Sequence, residues 1–260
     1  MNINRKTTIS EGGKLANTNR QAATTMASSR KIAIAAGVLY LLTFVSIPTL
    51  ALYGPVHDPN YIVGPGPDTS VIFGGVLEMI VALACIGTAV VLYPVVKRQN
   101  EGVALGFVGA RVLEAATIFA GVAILLSVVT LRQAGAGADT SVTGQALVGL
   151  YDRMFLVGQA LIPAVNALLL GSLMYRSRLV PRVLPLLGFI GAPLLVASAI
   201  ATMFGIYDRV SALSAIAALP IALWEFSLGV YLVVKGFKAC PITAEMTAAN
   251  TRSAYHDVAV

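Results

Sequence analysis

Residues 81 to 115 read VALACIGTAVVLYPVVKRQNEGVALGFVGARVLEA, and this stretch indicates the fold class. Two apolar segments flank the polar residues KRQNEG, a connection of the length that joins neighbouring helices. Both segments continue outward until each is longer than the roughly 20 apolar residues that cross the hydrocarbon core of a bilayer. The stretch therefore predicts two antiparallel transmembrane helices.

Apolar runs of this kind cover most of the chain. There are six, at Ile32–Tyr53, Val71–Val96, Val103–Leu131, Gln145–Tyr175, Val183–Ile206 and Ser211–Val234. The composition agrees, because 57% of the residues are hydrophobic and only 12% are charged, whereas charged residues make up roughly a quarter of a soluble domain. The sequence predicts an all-α polytopic membrane protein with six transmembrane helices.

The chain divides into three predicted regions. Residues 1–31 form a polar, basic tail that we expect to be disordered, residues 32–237 form the transmembrane domain, and residues 238–260 form a second tail. The first apolar run has two interpretations, a cleaved signal peptide or a retained helix. It is longer than the roughly 7–15 apolar residues of a signal peptide, which favours a retained helix.

The distribution of Lys and Arg predicts the orientation. Six lie in the N-terminal tail, two at Lys97 and Arg98, three in the segment from Arg176 to Arg182, and three at Lys235, Lys238 and Arg252. The alternate connections carry mainly aspartates. Because cytoplasmic loops are enriched in Lys and Arg, we expect both termini in the cytoplasm. This basic surface also explains the net charge of +6 without nucleic acid.

An internal repeat relates two of the predicted hairpins. Residues 105–115 read LGFVGARVLEA and residues 187–197 read LGFIGAPLLVA, with seven of eleven positions identical. Tyr93 and Tyr175 are separated by the same offset. The match predicts that helices two and three are duplicated as helices four and five. Parallel repeats of this kind occur in some transporters, and they also follow from plain duplication of a packing unit. A short apolar match also arises by chance, so chance similarity remains the alternative.

Four ionisable residues lie well inside the predicted spans: Glu78, Arg111, Glu114 and Glu225. Each costs roughly 2.5–3.5 kcal/mol near the bilayer centre if it lacks a partner. Arg111 and Glu225 lie at a similar depth, roughly 13 and 15 Å from the cytoplasmic ends of their helices. Glu114 follows Arg111 by three residues and shares its helix face. Arg111 therefore has two candidate partners, Glu114 and Glu225.

This intramembrane charge cluster has two interpretations. Three acids face one base, and burial disfavours the charged form of a carboxyl group, which is an ingredient of proton-coupled transport. Alternatively, the charges form a closed network that only fixes helix packing. A polar cavity that reaches Arg111 and Glu225 would favour the first interpretation, and a dry, closed network the second.

Two YDR sequences place charged doublets at the opposite, outer level. These are Asp152 with Arg153, and Asp208 with Arg209. An acid at the beginning of a helix that descends from the outer surface suits the helix dipole, and the adjacent Arg can reach lipid headgroups. We interpret both doublets as interfacial anchors, with a substrate gate as the alternative.

Recognisable catalytic chemistry is lacking. The two histidines, His57 and His256, fall in a loop and a tail, so the sequence predicts no intramembrane Ser–His pair, no HExxH zinc site and no Cys/His cluster. There is no Walker A sequence and no large extramembrane domain. We therefore predict no enzyme activity, no metal site and no cofactor.

Three segments carry a family resemblance. YPVVKRQNEGVALGFVGARVLE (Tyr93–Glu114), LLLGSLMYRSRLVPR (Leu168–Arg182) and PIALWEFSLGVYLVVKGF (Pro220–Phe237) resemble a bacterial membrane-protein family catalogued as domain of unknown function 4386. The resemblance implies a bacterial inner-membrane protein with six or seven helices and supplies no activity. The family pattern has an Arg and a Glu at the positions of Arg111 and Glu114, and a Glu at the position of Glu225.

Two functional hypotheses follow. In the first, the protein is a small-solute or proton-coupled carrier, or a ligand-responsive module; Arg111 binds an anionic group or pairs with Glu225, and Glu114 or Glu78 carries a proton. In the second, it is a structural or interaction subunit of a membrane complex. An intramembrane enzyme is the least favoured alternative. The predicted partners are the bilayer, a small solute or proton, and a second copy or another membrane protein.

Overall fold

The computed structural model describes residues 29–64, 66–135 and 138–245, with the backbone alone at 138 and 139. The predicted tails therefore lie largely outside the described residues, at 1–28 and 246–260. The three predicted regions and their bounds stay a prediction.

Eight helices build the described chain. They are α1 (29–42), α2 (Thr49–Leu52), α3 (Asp68–Val96), α4 (Glu101–Gln133), α5 (Ala138–Gly158), α6 (Ile162–Ser177), α7 (Val183–Met203) and α8 (Ala212–Val234). Two short 3₁₀ turns, Thr43–Ser46 and Gly54–His57, flank α2, and a single helical turn covers 241–245.

Six helical segments are long and apolar enough to cross a membrane. They are Ser29–Leu52, Asp68–Val96, Glu101–Gln133, Thr140–Ser177, Val183–Met203 and Ala212–Val234. Short connections make consecutive spans antiparallel. The all-α fold with six transmembrane helices is thereby confirmed.

The surface is apolar where a soluble protein would be polar. Leu83, Val90 and Leu113 are each more than half exposed on the outer faces of their helices, whereas Arg111 is buried. Exposed apolar area on this scale would associate in water, but in a bilayer the lipid chains cover it. The charged side chains inside the spans therefore face the helices of the bundle.

The predicted run Gln145–Tyr175 lies within one membrane-crossing segment, Thr140–Ser177, but the helix in it is interrupted by a turn, here called the bend. The helical pattern ends at Gly158, and α6 begins at Ile162 after a turn. Pro163 near the start of α6 has no N–H, so it cannot continue the ladder of hydrogen bonds. Both Gln159 and Ala160 donate instead to the carbonyl of Phe155, at 2.7 and 3.1 Å.

Small residues allow the closest helix crossings. A Cβ added at Gly191 of α7 would lie 2.8 Å from the backbone nitrogen of Ile221 on α8, and one at Gly37 of α1 would lie 2.6 Å from the carbonyl oxygen of Gly229. In lipid, such close approach is a main source of helix association. The corresponding Gly109 on α4 faces open space. The duplication itself stays a prediction.

The basic end of the bundle is where α1 begins and α8 ends. Arg30 donates hydrogen bonds to the carbonyls of Leu232, Val233 and Val234, at 3.2, 2.7 and 3.1 Å. A cation at this position satisfies the last carbonyls of α8 and suits its dipole. The even number of spans places both ends of the domain together. That this end faces the cytoplasm stays a prediction.

Candidate functional site

The centre of the bundle holds an arginine between two carboxylates. Arg111 on α4 donates from Nη1 to Oε2 of Glu114, at 2.8 Å, and from Nη2 to Oε1 of Glu225 on α8, at 3.2 Å. Glu114 is reached along the same helix, one turn away, and Glu225 across the bundle. The structure therefore gives Arg111 both partners that its sequence position allowed.

The two carboxylates differ in their surroundings. Glu114 Oε2 also accepts a hydrogen bond from Nδ2 of Asn166 on α6, at 2.6 Å. For Glu225, by contrast, Arg111 is the single hydrogen-bond donor within the part of the chain that the structure describes. The side chain of Glu225 is 16% exposed, against 8% for Glu114 and 1% for Arg111. Glu225 is thus the more accessible and less strongly held member of the cluster.

Aromatic rings and a thiol complete the environment of the guanidinium. Its Cζ lies 4.9 Å from the ring centroid of Tyr40 on α1 and 6.0 Å from that of Phe107 on α4. Nη1 also lies 3.6 Å from Sγ of Cys85 on α3. Such cation–π contacts are strongest where water is excluded. Side chains from four helices, α1, α3, α4 and α8, therefore contact Arg111.

Glu78 lies apart from this cluster. Its Oε1 accepts a hydrogen bond of 3.3 Å from Nε2 of Gln159, in the bend of the fourth span. Its Oε2 and the hydroxyl of Tyr53 are buried and have no hydrogen-bond partner among the described residues. Glu78 is therefore a separate acid between the cluster and the outer end.

A second group of charges lies at the outer end of the bundle. Arg209 Nη2 and His57 Nε2 both contact Oδ1 of Asp152, at 3.0 and 3.1 Å. We call these three residues the outer clasp. It ties together the Gly54–His57 turn, α5 and the connection between α7 and α8. Its members come from both YDR doublets and from a loop, so sequence proximity could not predict the grouping.

Both ring nitrogens of His57 face hydrogen-bond acceptors. Nδ1 lies 3.1 Å from the carbonyl oxygen of Tyr53, and Nε2 lies 3.1 Å from Asp152 Oδ1. Only an imidazolium carries a proton on both nitrogens and can donate to both. The hydrogen bond to Asp152 is accordingly the largest of the contributions that raise the pKa of His57.

The doublets do not act as units. Asp152 and Arg209 pair with each other, whereas Arg153 and Asp208 are exposed. The guanidinium of Arg209 also lies over two rings of α5, with its Cζ 4.3 Å from the centroid of Phe155 and 5.6 Å from that of Tyr151. The prediction that these four residues are anchors or a gate therefore has to be considered separately for the paired residues, Asp152 and Arg209, and for the exposed residues, Arg153 and Asp208.

Three neighbouring cavities, which share lining residues, lie between the outer clasp and the charge cluster. The outer cavity, of about 360 Å³, shares Phe155 and Arg209 with a middle cavity of about 230 Å³. The middle cavity shares Gln159, Leu195 and Ala218 with an inner cavity of about 220 Å³. The bend of the fourth span, which supplies Gln159, therefore lies where the middle and inner cavities meet.

The inner cavity reaches all three members of the charge cluster. Arg111, Glu114 and Glu225 line it, together with Cys85 and Gln159. The charge cluster therefore borders open space and is not enclosed by side chains on every side. Such a cavity can hold water or a small polar solute beside a guanidinium.

A further ion pair lies beside the outer end. Arg132 at the end of α4 pairs with Asp68 at the beginning of α3, and its Nη1 donates to the carbonyl of Gly64 at 2.7 Å. Burial, and then the hydrogen bond to Asp68, raise the pKa of Tyr61 to about 12. These contacts hold the Pro/Gly-rich outer connection against the helix ends.

Sequence analysis missed several residues of these sites. Asn166, Gln159 and Tyr53 were not singled out, and His57 was placed in a loop without a role. Asn166 and Gln159 could have been found, because amides inside an apolar span are uncommon and mark the inward face. Among the described residues, no group of three or more His, Cys, Asp or Glu side chains could hold a metal ion.

Comparisons with known proteins give a family and no assigned activity. No curated protein and no solved structure matches the chain. One family model matches residues 35–236, which include every helix from α2 to α8 and all residues of the charge cluster and the outer clasp. The resemblance seen in the sequence is thereby confirmed. Because the match covers more than half of the chain, this protein belongs to the family described as Domain of unknown function (DUF4386).

Proposed function

We propose that this protein is a proton-coupled carrier for a small organic anion in a bacterial inner membrane. The observation that carries the proposal is the inner cavity, which brings about 220 Å³ of space to the guanidinium of Arg111 and to the carboxylates of Glu114 and Glu225. Charged groups in a membrane interior are expensive, and they commonly mark a solute or proton path.

The size of the cavity limits the solute. Pockets for drug-sized ligands measure roughly 300–1,000 Å³, so 220 Å³ suits a molecule of only a few heavy atoms. A planar guanidinium binds carboxylates through paired hydrogen bonds. A short-chain carboxylate therefore fits both the space and the chemistry.

The two carboxylates take different roles in the proposal. Glu114 is held by Arg111 and Asn166, and it remains the fixed partner of Arg111. Glu225 is more exposed to the cavity and is held by Arg111 alone. A solute carboxylate would therefore take the place of Glu225 at Nη2 of Arg111.

Charge balance then couples the solute to a proton. The empty cluster contains one cation and two carboxylates. An anion that replaces Glu225 adds one negative charge, and a proton from the aqueous phase that converts the Glu225 carboxylate to a carboxylic acid removes one. The net charge is the same before and after binding, so one anion moves with one proton. Glu78, buried between Tyr53 and Gln159, would pass protons between the outer cavity and the cluster.

Ligand-dependent melting in mild detergent tests the binding step. Sodium lactate and sodium pyruvate would be compared with sodium chloride at equal concentration for the wild type, Glu225→Gln and Arg111→Gln. We expect the carboxylates to raise the melting temperature of the wild type most at acidic pH. Ligands that bind only the folded protein stabilise it by an amount that rises with the ratio of ligand concentration to dissociation constant.

The two variants make the test specific. Glu225→Gln mimics the protonated acid, so stabilisation by the carboxylates should persist and lose its dependence on pH. Arg111→Gln should abolish it. If neither carboxylate stabilises Glu225→Gln, in which the guanidinium has lost a charged competitor, the inner cavity is not a carboxylate site and the proposal fails.

A structural role is the second candidate. Arg111 is almost fully buried, and both of its terminal nitrogens are bonded to carboxylates beneath the ring of Tyr40. Such a network could fix the register of α4 and α8 in a subunit that docks a partner helix or a second copy of the chain. Under this alternative, every substitution in the cluster lowers stability and none changes solute binding.

A further inference from the structure

We infer that the side chain of Arg209 is a gate between the outer cavity and the inner charge cluster. A solute would have to pass Arg209 to reach Arg111, so this inference rests on the proposed function for the kind of molecule that the gate admits. The closed position of the gate is argued from contacts within the protein and does not depend on the solute. Arg209 lines both the outer and the middle cavity, and the middle cavity shares Gln159 with the inner one as a lining residue.

The contacts of Arg209 hold it across this boundary. The residue belongs to the connection between α7 and α8, but the three partners that fix its guanidinium, Asp152, Tyr151 and Phe155, all lie on α5. A rotation of one side chain would release all three contacts. No helix has to move, so the passage can open while the bundle stays packed.

The interactions are of a kind that opens readily. Arg209 is partly exposed, and Asp152 is exposed over about a third of its side chain, 32%. Exposed ion pairs contribute little to stability, and a cation–π contact adds a modest amount. By contrast, the Arg111–Glu114 pair of the inner cluster is buried. The outer arginine is therefore the easier of the two to release from its partners.

His57 keeps Asp152 in position for the gate. It contacts the same oxygen as Arg209 and joins α5 to the Gly54–His57 turn. The other ionisable groups nearby are Asp208 and Arg153, which share a cavity with Asp152 and Arg209, Asp58, the next residue after His57, and Glu78 near Tyr53. Asp152 therefore holds Arg209 in the closed position, and His57 holds the carboxylate of Asp152.

A native cysteine reports on the passage. Cys85 lines the inner cavity and is buried, and the chain contains one other cysteine, Cys240. In full-length Cys240→Ser protein in lipid nanodiscs, the probe would be the anionic, membrane-impermeant reagent 2-sulfonatoethyl methanethiosulfonate. The rate of its addition to Cys85 would be followed by intact mass.

Arg209→Ala is expected to speed the labelling of Cys85 by roughly tenfold, because both the ion pair and the ring contacts that hold the gate are lost. Asp152→Asn removes the carboxylate that pairs with Arg209 and leaves the arginine in place, so it should give a smaller increase in the labelling rate. The matched control is Arg153→Ala, which removes an exposed neighbouring arginine and should label at the wild-type rate. Melting temperatures would show that each variant is folded.

Equal labelling rates in Arg209→Ala and the wild type, including no labelling in either, would overturn the gate. The same conclusion follows if Arg153→Ala labels as fast as Arg209→Ala, because a general loss of surface charge would then be the cause. The assay needs no transported solute. A failure of lactate and pyruvate to bind Glu225→Gln would reject the proposed function and leave the labelling result unaffected.

Discussion

Replacing Arg111 by glutamine tests whether the buried cluster stabilises the fold. The substitution removes the cation from between Glu114 and Glu225, which lie 2.8 and 3.2 Å from its nitrogens. Breaking a buried pair by removing one partner costs about 3–5 kcal/mol, because the remaining charge is left uncompensated. A chain of this size loses roughly 2–4 °C of melting temperature per kcal/mol, so we expect a decrease of roughly 6–20 °C.

Glu225→Gln should behave differently. The glutamine carbonyl can still accept from Nη2 of Arg111, and the buried pair with Glu114 remains. The substitution also removes one of two negative charges that face a single cation. We therefore expect a change of within about 1 kcal/mol, in either direction, as for substitutions that create no buried unpaired charge. A protein that tolerates costly charge without a gain in stability retains it for another purpose.

The measurement is thermal unfolding of both variants in one mild detergent at one pH, with Arg153→Gln as the control. Arg153 is exposed at the outer end, so its replacement should alter the free energy of unfolding by less than about 0.5 kcal/mol. If Arg111→Gln melts with the wild type, the argument from buried charge is refuted. If Glu225→Gln loses as much as Arg111→Gln, Glu225 is a structural partner and its exchange with a solute is rejected.

Two further predictions concern helix packing and pH. Gly191→Ala should lower the free energy of unfolding by about 1–3 kcal/mol, because its Cβ would lie 2.8 Å from the backbone of Ile221. The control is Gly109→Ala, whose Cβ would face open space and should leave the free energy of unfolding unchanged. Equal melting temperatures of the two variants would contradict the close α7–α8 crossing. The raised pKa of His57 implies that its contact with Asp152 stabilises the fold below about pH 6.5 and that this contribution disappears as the pH rises through the pKa of the folded state. The difference in melting temperature between the wild type and His57→Gln should shrink over that rise, and a constant difference would exclude the imidazolium.

The spans were predictable because a bilayer imposes a simple length and polarity requirement on each helix. The bend of the fourth span was not, although Pro163 was visible in the sequence. Proline is tolerated inside some helices, as at Pro94 in α3 and Pro193 in α7. Whether a proline breaks a helix depends on what neighbouring helices offer to the freed backbone groups, and sequence pattern does not contain that information.

The charge cluster was predictable in part. The three-residue spacing of Arg111 and Glu114 places them on one face, and the similar depth of Glu225 made it a candidate partner. Asn166 was not anticipated as the second donor to Glu114. The outer clasp was not anticipated either, because His57, Asp152 and Arg209 are far apart in the sequence and meet only through the order of the helices.

The sequence by itself determined that this protein crosses a membrane six times through helices and that its few intramembrane charges must face inward. The physical reason is that lipid neither solvates ions nor accepts backbone hydrogen bonds, so length, hydropathy and charge are read directly from the chain. Only the tertiary structure decided that Glu225 is the more exposed carboxylate, that cavities adjoin Arg111 and that Arg209 stands between them. Those properties depend on the space left between packed helices, which is set by side-chain shape at crossings such as Gly191 with Ile221, and not by periodicity along any one helix.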